Sequence, residues 1–261
     1  MATTTTHAPG TFCWPELSTT DQAGAKKFYS ALFGWEMNDS PMGEGEFYTM
    51  IGLGGRGVGA LYTMRKEEKS SGAPPHWNSY VAVESADAAA ARAKQLGATI
   101  LADAFDVMDV GRMAIIQDPT GAVFCVWEAK KHTGAGVLGE PGSLCWTELM
   151  TRDTAKAGAF YTALFGWKTD VMTMGPMSYT VFKRDDTGAG GMMAISPDMG
   201  QVPPNWMPYF AVTDTDAIVA KANQVGGRVI APAQDVPNVG RFAVLQDPQS
   251  AVFAVLTPPR A

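Results

Sequence analysis

The 261-residue chain sets 20 Lys and Arg against 26 Asp and Glu, for a formal charge of −6, with 46% hydrophobic and 18% charged residues. No basic block of the kind that nucleic-acid binding needs is present; the densest run of charge, Arg65-Lys66-Glu67-Glu68-Lys69, mixes both signs. Apolar runs are no longer than a strand, which excludes a membrane-spanning helix, and three cysteines are too few for a disulfide framework, so a cytoplasmic protein with room for two cores is expected.

Met1–Gly10 lacks the basic and apolar segments of a signal peptide and reads as a flexible lead-in. Thr11–Ser18 alternates like a strand, with Cys13, Pro15 and Leu17 on one face and Phe12, Trp14 and Glu16 on the other. Thr20-Asp21 supplies an N-cap for a helix carrying Ala25, Phe28, Tyr29 and Leu32, which Gly34 stops. Three strand-like stretches follow, around Trp35-Met37, Phe47-Leu53 and Val58-Met64, giving βαβββ. After a loop over Lys66–Pro75 the pattern restarts. Asn78–Val83 reads as a strand and Ala86–Leu96 as a helix; strands are expected near Thr99-Leu101, Met113-Gln117 and Ala122-Trp127, the last two joined by an Asp118-Pro119-Thr120-Gly121 turn.

The chain then repeats itself. FCWPELSTTDQAGAKKFYSALFGW (12–35) returns as LCWTELMTRDTAKAGAFYTALFGW (144–167), and the Val110-Gly111-Arg112 to Gln117-Asp118-Pro119 stretch returns as Val239-Gly240-Arg241 to Gln246-Asp247-Pro248. Trp14 and Glu16 thus recur as Trp146 and Glu148. The period is too long for a solenoid, so each copy is expected to be a domain: residues 11–129 and 143–261, joined by a Gly- and Pro-rich linker at 130–142. The fold class is α+β, with four tandem βαβββ modules.

The FYxxLFGW helix end and the GRxAxxQDPxGAxF hairpin, set in tandem βαβββ units, resemble the vicinal oxygen chelate superfamily (glyoxalase, bleomycin-resistance and extradiol dioxygenase proteins) in its two-domain actinobacterial form. The resemblance implies two glyoxalase-like domains whose curved mixed sheets surround open cavities on the side away from the helices. It also implies metal-ligand positions, which fall on Trp14, Asn78, Cys125 and the neighbourhood of Ala60-Leu61, and in the second copy on Trp146, Met207, Ala254 and the neighbourhood of Met192-Met193. Indole offers no acceptor, alanine and leucine offer no donor atoms, and a thioether suits hard cations poorly. No metal is therefore assigned, with a displaced divalent site at Glu16 and His76 left open; its second-copy counterpart is Glu148 and Asn205.

The face turned from the helices carries the candidate ligand-binding residues Trp14, Glu16, His76, Asn78, Tyr80, Cys125 and Trp127 in the first copy, and Trp146, Glu148, Asn205, Met207 and Tyr209 in the second. Aromatic walls with a few polar tips suit a small aromatic or mixed-polarity molecule, and the methionines at 172, 174, 177, 192, 193 and 207 suit an irregular one. Glu16 and Glu148, beside tryptophans, are candidate general acids or bases. Arg112 and Arg241 either meet an anionic ligand or hold Asp106 and Asp235. Three readings result: a metal-independent small-molecule binder of the bleomycin-resistance type, a lyase, isomerase or oxygenase working through Glu16 and Glu148, and a scaffold that serves mainly a partner surface with vestigial cavities. Nothing calls for a nucleic acid, a membrane or a second copy, and a monomer is the default.

Overall fold

The computed structural model describes residues 6–43, 45–70, 72–174 and 177–259; the expected lead-in therefore falls partly outside the described residues, as do the side chains of Met174 and Met177. In the first repeat the elements are β1 (Phe12–Thr19), α1 (Gln22–Phe33), β2 (Glu36–Gly43), β3 (Glu46–Leu53), β4 (Arg56–Thr63), α2 (Lys66–Ser70), β5 (His76–Ala82), α3 (Ala86–Gln95), β6 (Thr99–Val107), β7 (Gly111–Gln117) and β8 (Val123–Ala129). The second follows with β9 (Leu144–Thr151), α4 (Thr154–Phe165), β10 (Lys168–Met174), β11 (Met177–Arg184), β12 (Thr187–Ala194), a 3-10 turn at Pro197–Met199, β13 (Asn205–Ala211), α5 (Thr215–Gln224), β14 (Arg228–Val236), β15 (Gly240–Gln246) and β16 (Val252–Thr257). The expected loop after β4 contains the short helix α2, started by Glu68, whose carboxylate accepts from the Arg65 N–H at 2.7 Å.

Both repeats set their first helix in the same way. Asp21 accepts from the Gly24 N–H and Asp153 from the Lys156 N–H, and each helix ends on a left-handed glycine, Gly34 (φ 75°) or Gly166 (φ 70°). The side-chain acceptor satisfies an otherwise orphaned helix donor, and glycine adopts the left-handed turn without the Cβ penalty.

Each repeat contributes one sheet, in the hydrogen-bonding orders β2-β3-β4-β1-β5-β8-β7-β6 and β10-β11-β12-β9-β13-β16-β15-β14. This corrects the expectation of curved sheets around open cavities: both orders are open, running from one edge strand to another. Closure would require the first and last strands to pair with matching stagger. Instead β2 presents Asn38, Asp39 and Pro41 in an exposed run, and β14 carries Pro232, residues that discourage edge pairing. Side chains also occupy the face turned from the helices in the first repeat, where Trp14, Glu16, Tyr80 and Trp127 are all buried.

By contacts, the chain forms two compact units, each drawing on both repeats. One comprises residues up to Trp14, Asn78–Gly134 and Trp146–Met207. It contains the β1–β5 junction (Gly10 N–H to Ala82 O, 2.8 Å) and packs Phe124, Phe160, Tyr161, Phe182, Trp167 and Trp206 into one ring cluster. The other comprises Pro15–Trp77, Ala135–Cys145 and Pro208 onward, with the β9–β13 junction (Ala211 N–H to Ser143 O, 2.9 Å). Its core runs from Leu17, Phe28, Tyr29 and Trp35 to Phe210, Leu245 and Phe253 and takes in Val137 from the stretch between the repeats.

The same polar relay is buried in each unit. Trp77 Nε1 donates to Tyr29 Oη (3.1 Å), and Tyr29 donates to Asp247 Oδ2 (3.0 Å). In the other unit Trp206 Nε1 donates to Tyr161 Oη (2.7 Å), and Tyr161 donates to Asp118 Oδ2 (2.8 Å). The second oxygen of each aspartate accepts the turn N–H groups, from Gln249 and Ala251 and from Thr120 and Ala122. Satisfying every polar atom is what makes such a chain tolerable in a core. Burial raises the Asp247 carboxyl above its ordinary value, and burial together with the Asp247 charge raises the Tyr29 phenol.

Candidate functional site

Strand register assembles the site. In the first repeat, β2, β3, β4 and β1 set Ser40, Tyr48, Tyr62 and Ser18 side by side in one row. The next row on the same face is Asn38, Met50, Ala60 and Glu16, because residues two apart share a face. Tyr48 donates to Glu16 Oε2 at 2.6 Å. Tyr62 and Ser18 donate to Glu68 Oε1 at 2.6 and 3.1 Å, so α2 brings a second carboxylate over the row. Burial and the charges of Glu16 and Glu68 push the Tyr62 phenol well up, keeping it protonated and a donor.

In the second repeat the same register gives Met172, Tyr179, Met193 and Met150, then Asp170, Val181, Gly191 and Glu148. Tyr179 bonds Glu148, and its phenol is raised by burial and the Glu148 charge. Trp146 Nε1 also donates to Tyr179 Oη at 2.9 Å. Both repeats therefore hold a buried glutamate against a tyrosine, Glu16 with Tyr48 and Glu148 with Tyr179. Of the predicted methionines, Met193 and Met172 lie in the Tyr179 row, whereas Met192 is 2% exposed and its Cε lies 3.6 Å from the Cβ position of Gly158 in α4.

The remaining candidates occupy several settings. Trp14, Tyr80 and Trp127 come together with His132: the Trp14 and His132 rings meet edge-on at 4.5 Å, Trp127 lies 5.8 Å from His132, and Tyr80 lies 6.2 Å from Trp127. Trp127 Nε1 donates to the His132 carbonyl, and Tyr80 reaches Met113 Sδ at 3.9 Å. Cys125 is buried opposite Tyr80, and Asn78 is half-buried on the same strand as Tyr80. His76 Nδ1 pairs with the Pro74 carbonyl at 2.7 Å, as Asn205 Nδ2 does with Pro203 at 2.9 Å, so this position ties down a turn in both repeats. Met207 and Tyr209 are buried; Tyr209 lies opposite Ala254, with its ring 6.2 Å from Phe242.

Apart from Asn78, whose amide oxygen alone could ligate, the family's metal positions do not fit a divalent cation. Trp14 is packed against His132, Ala60 and Ala254 carry no donor atom, Met207 is a buried thioether, and Cys125 is enclosed in the sheet. Among the described residues, no group of three or more His, Cys, Asp or Glu is placed to hold a metal ion. Arg112 pairs with Asp87 (2.6 Å) and Asp106 (3.5 Å), and Arg241 with Asp216 (2.7 Å) and Asp235 (3.0 Å). The arginines are thus engaged with the carboxylates that the sequence pointed to, which lie near the ends of β6 and β14, and with a helix-start aspartate that it did not. A shallow depression of about 550 Å³ by Asp214, Asp216, Asn238 and Arg241 includes the candidate Arg241 but none of the aromatic, glutamate or methionine candidates. Among the described residues, no helix is long and apolar enough to cross a membrane.

The family model of the glyoxalase/bleomycin resistance protein/dioxygenase superfamily matches residues 11–126 and again 143–255. The chain belongs to this superfamily, as an internally duplicated member. A Mycobacterium tuberculosis protein named provisionally as a glyoxylase, CFP32, is 46% identical over 95% of each chain. The anthracycline biosynthesis protein DnrV of Streptomyces peucetius is 35% identical over 97% of this chain and 94% of its own. Superfamily members of known structure share the fold at low identity. The Mn(II)-bound glyoxalase from Novosphingobium aromaticivorans matches with a TM-score of 0.66 at 14% identity, over 95% of this chain and 82% of its own. The 2,2',3-trihydroxybiphenyl 1,2-dioxygenase of Sphingomonas wittichii matches with a TM-score of 0.66 at 12% identity, over 96% and 91%. The superfamily's small-molecule-binding character thus extends to this chain.

The sequence reading missed Tyr48, Tyr179, Tyr62, Glu68 and His132. Tyr48 and Tyr179 were accessible to it, since the Tyr-Thr of FYTM recurs in SYTV. Glu68 and His132 have no such signal; only the fold brings them to the face.

Proposed function

We propose that this chain binds an aromatic, mixed-polarity small molecule through the sheet faces bearing the Glu16–Tyr48 and Glu148–Tyr179 pairs, without the metal its superfamily commonly uses. The observation that carries this reading is the repeated buried carboxylate–phenol pair, two residues along the strand from a tryptophan at the family's first metal-ligand position. A buried carboxylate accepts strong hydrogen bonds from a ligand hydroxyl or amine, and flanking aromatic rings select a flat partner. The relative named for anthracycline biosynthesis supports an aromatic ligand. Thermal unfolding with and without an anthracycline, in buffer containing a chelator, tests the reading. Binding raises the melting temperature by mass action, and a shift that needs added divalent metal refutes the metal-free part.

A second reading has its own support. Tyr62 and Tyr179 stay protonated beside carboxylates, which pairs a proton donor with an acceptor as acid–base chemistry requires. In that case the chain is a lyase, isomerase or oxygenase in which Glu16 or Glu148 moves the proton. Turnover abolished by Glu16→Gln or Glu148→Gln, with ligand affinity retained, would favour it over binding alone.

A further inference from the structure

The two rows hold equivalent places in the two sheets and have opposite chemistry. Ser40, Tyr48, Tyr62 and Ser18 in the first become Met172, Tyr179, Met193 and Met150 in the second. In the first, the hydroxyls donate to protein carboxylates: Tyr48 to Glu16, and Tyr62 and Ser18 to Glu68. In the second, three thioether side chains surround one tyrosine. The rings there are also seated differently. A Cβ on Gly191 would meet Tyr179 Oη at 1.8 Å and Trp146 Nε1 at 2.8 Å, and one on Gly188 would meet the Trp146 ring at 2.9 Å. Both rings therefore lie directly against the glycines of β12, pinned to each other by the Trp146–Tyr179 hydrogen bond. The place of Gly191 is taken by Ala60 in the first repeat.

Accessibility differs in the same sense. Trp14 is 4% exposed and packed under His132, whereas Trp146 is half-buried, and Ser18 is buried, whereas Met150 is half-buried. Elsewhere the rows match: Tyr48 and Tyr62, like Tyr179 and Met193, are half-buried, and Ser40 and Met172 are exposed.

From these features we infer that the repeats have divided their labour, and that the ligand's flat apolar part rests on the second repeat's Met172–Tyr179–Met193–Met150 row beside Trp146. Glu148 beneath the row supplies a single polar anchor. The inference rests on the proposed binding function and assigns it to one repeat. Thioethers are polarizable and adapt to an aromatic edge or face, and two rings fixed against a strand lose little freedom on binding. The first repeat's row presents serine and tyrosine hydroxyls where the second presents thioethers, so it offers a flat apolar ligand less apolar contact.

Doxorubicin, an anthracycline, is a suitable probe. Two measurements locate it: affinity by titration calorimetry, and peptide-resolved methionine oxidation by peroxide with and without the probe. The double variant Met150→Ser/Met193→Tyr, which installs the first repeat's residues, is expected to weaken binding by about tenfold or more, the size of a lost contact cluster. Arg56→Ala in the first repeat, which removes an exposed ion pair with Glu140 away from either row, is expected to leave affinity within about twofold. In the unaltered chain the probe is expected to protect Met172 and Met193, which locates the ligand even if the double variant fails to fold. Binding that survives the double variant, or saturable binding without protection of Met172 and Met193, overturns the assignment and leaves the binding function standing. Absence of saturable binding overturns both. Protection that rises with protein concentration and without probe overturns the assignment in favour of a face covered by a second copy.

Discussion

The first and second repeats fold into the same strand order with the same glutamate–tyrosine pair, yet one surrounds that pair with hydroxyls and the other with thioethers. Ser18 and Met150 stand at one register position, as do Tyr62 and Met193, and Ala60 and Gly191. The fold conserves the backbone register and the buried carboxylate, while the residues one strand over decide what the face can meet. Duplication thus provides an internal control: a change that copies one repeat into the other alters chemistry at a fixed geometry.

That control can be broken at several points. The largest effect is expected from Gly191→Ala. The added Cβ falls on the pinned Tyr179 hydroxyl, and overpacking of this kind costs about 1–3 kcal/mol. The reciprocal Ala60→Gly should cost less, about 0.5–1 kcal/mol, from chain entropy; urea unfolding compares the two, and equal costs would show that the two tyrosines are seated alike. Next come Tyr29→Phe and Tyr161→Phe, which remove the hydroxyl between a tryptophan and an aspartate in each core. Each should cost about 1–3 kcal/mol, the penalty for leaving buried polar groups short of a partner. A neutral result at either position would show that its relay is dispensable.

A pH experiment sharpens the relay itself. Burial raises the folded-state pKa of Asp247 above its unfolded value, so its contribution to stability is full below about pH 3.9 and is lost as the pH rises through the folded value. The surface aspartates Asp87 and Asp216 are shifted the other way by Arg112 and Arg241, and their contribution is lost as the pH falls. Asp247→Asn should therefore make the change in unfolding free energy from pH 4 to pH 7 more favourable to the fold than in the unaltered chain. An unchanged pH slope would remove Asp247 as the cause. The smallest effects belong to Arg112→Ala and Arg241→Ala, whose solvent-exposed ion pairs should change the urea midpoint least, and less still with added salt.

What could be read from the sequence follows from range of interaction. The cap at Asp21, the stop at Gly34 and the alternation of β1 depend on neighbours a few residues away, and all are present in the fold. The repeat and its motifs led directly to the superfamily. The Glu16–Tyr48 pair depends on β1 meeting β4 and β4 meeting β3, and strand register is invisible until the sheet exists. His132 lies in the Gly- and Pro-rich stretch between the repeats, where nothing local shows that it packs on Trp14 and Trp127. Local pattern places Tyr29 on a helix face and Asp118 in a turn, but their partners lie in the other repeat, beyond its reach. The curved, cavity-bearing sheet was an inheritance from the resemblance, and the open strand orders replace it.

The interleaving of the two compact units bears on how the chain is made. The core built on Leu17, Tyr29 and Trp35 needs Phe210, Leu245 and Phe253 to be complete. At typical synthesis rates, those residues leave the ribosome on the order of ten seconds after Trp77. During that interval the aromatic face of α1 has only the first repeat's own share of its cover, from residues such as Leu61 and Trp77. Birth from the ribosome is therefore a waiting problem for this protein, and nascent first repeats on neighbouring ribosomes are the natural wrong partners for one another.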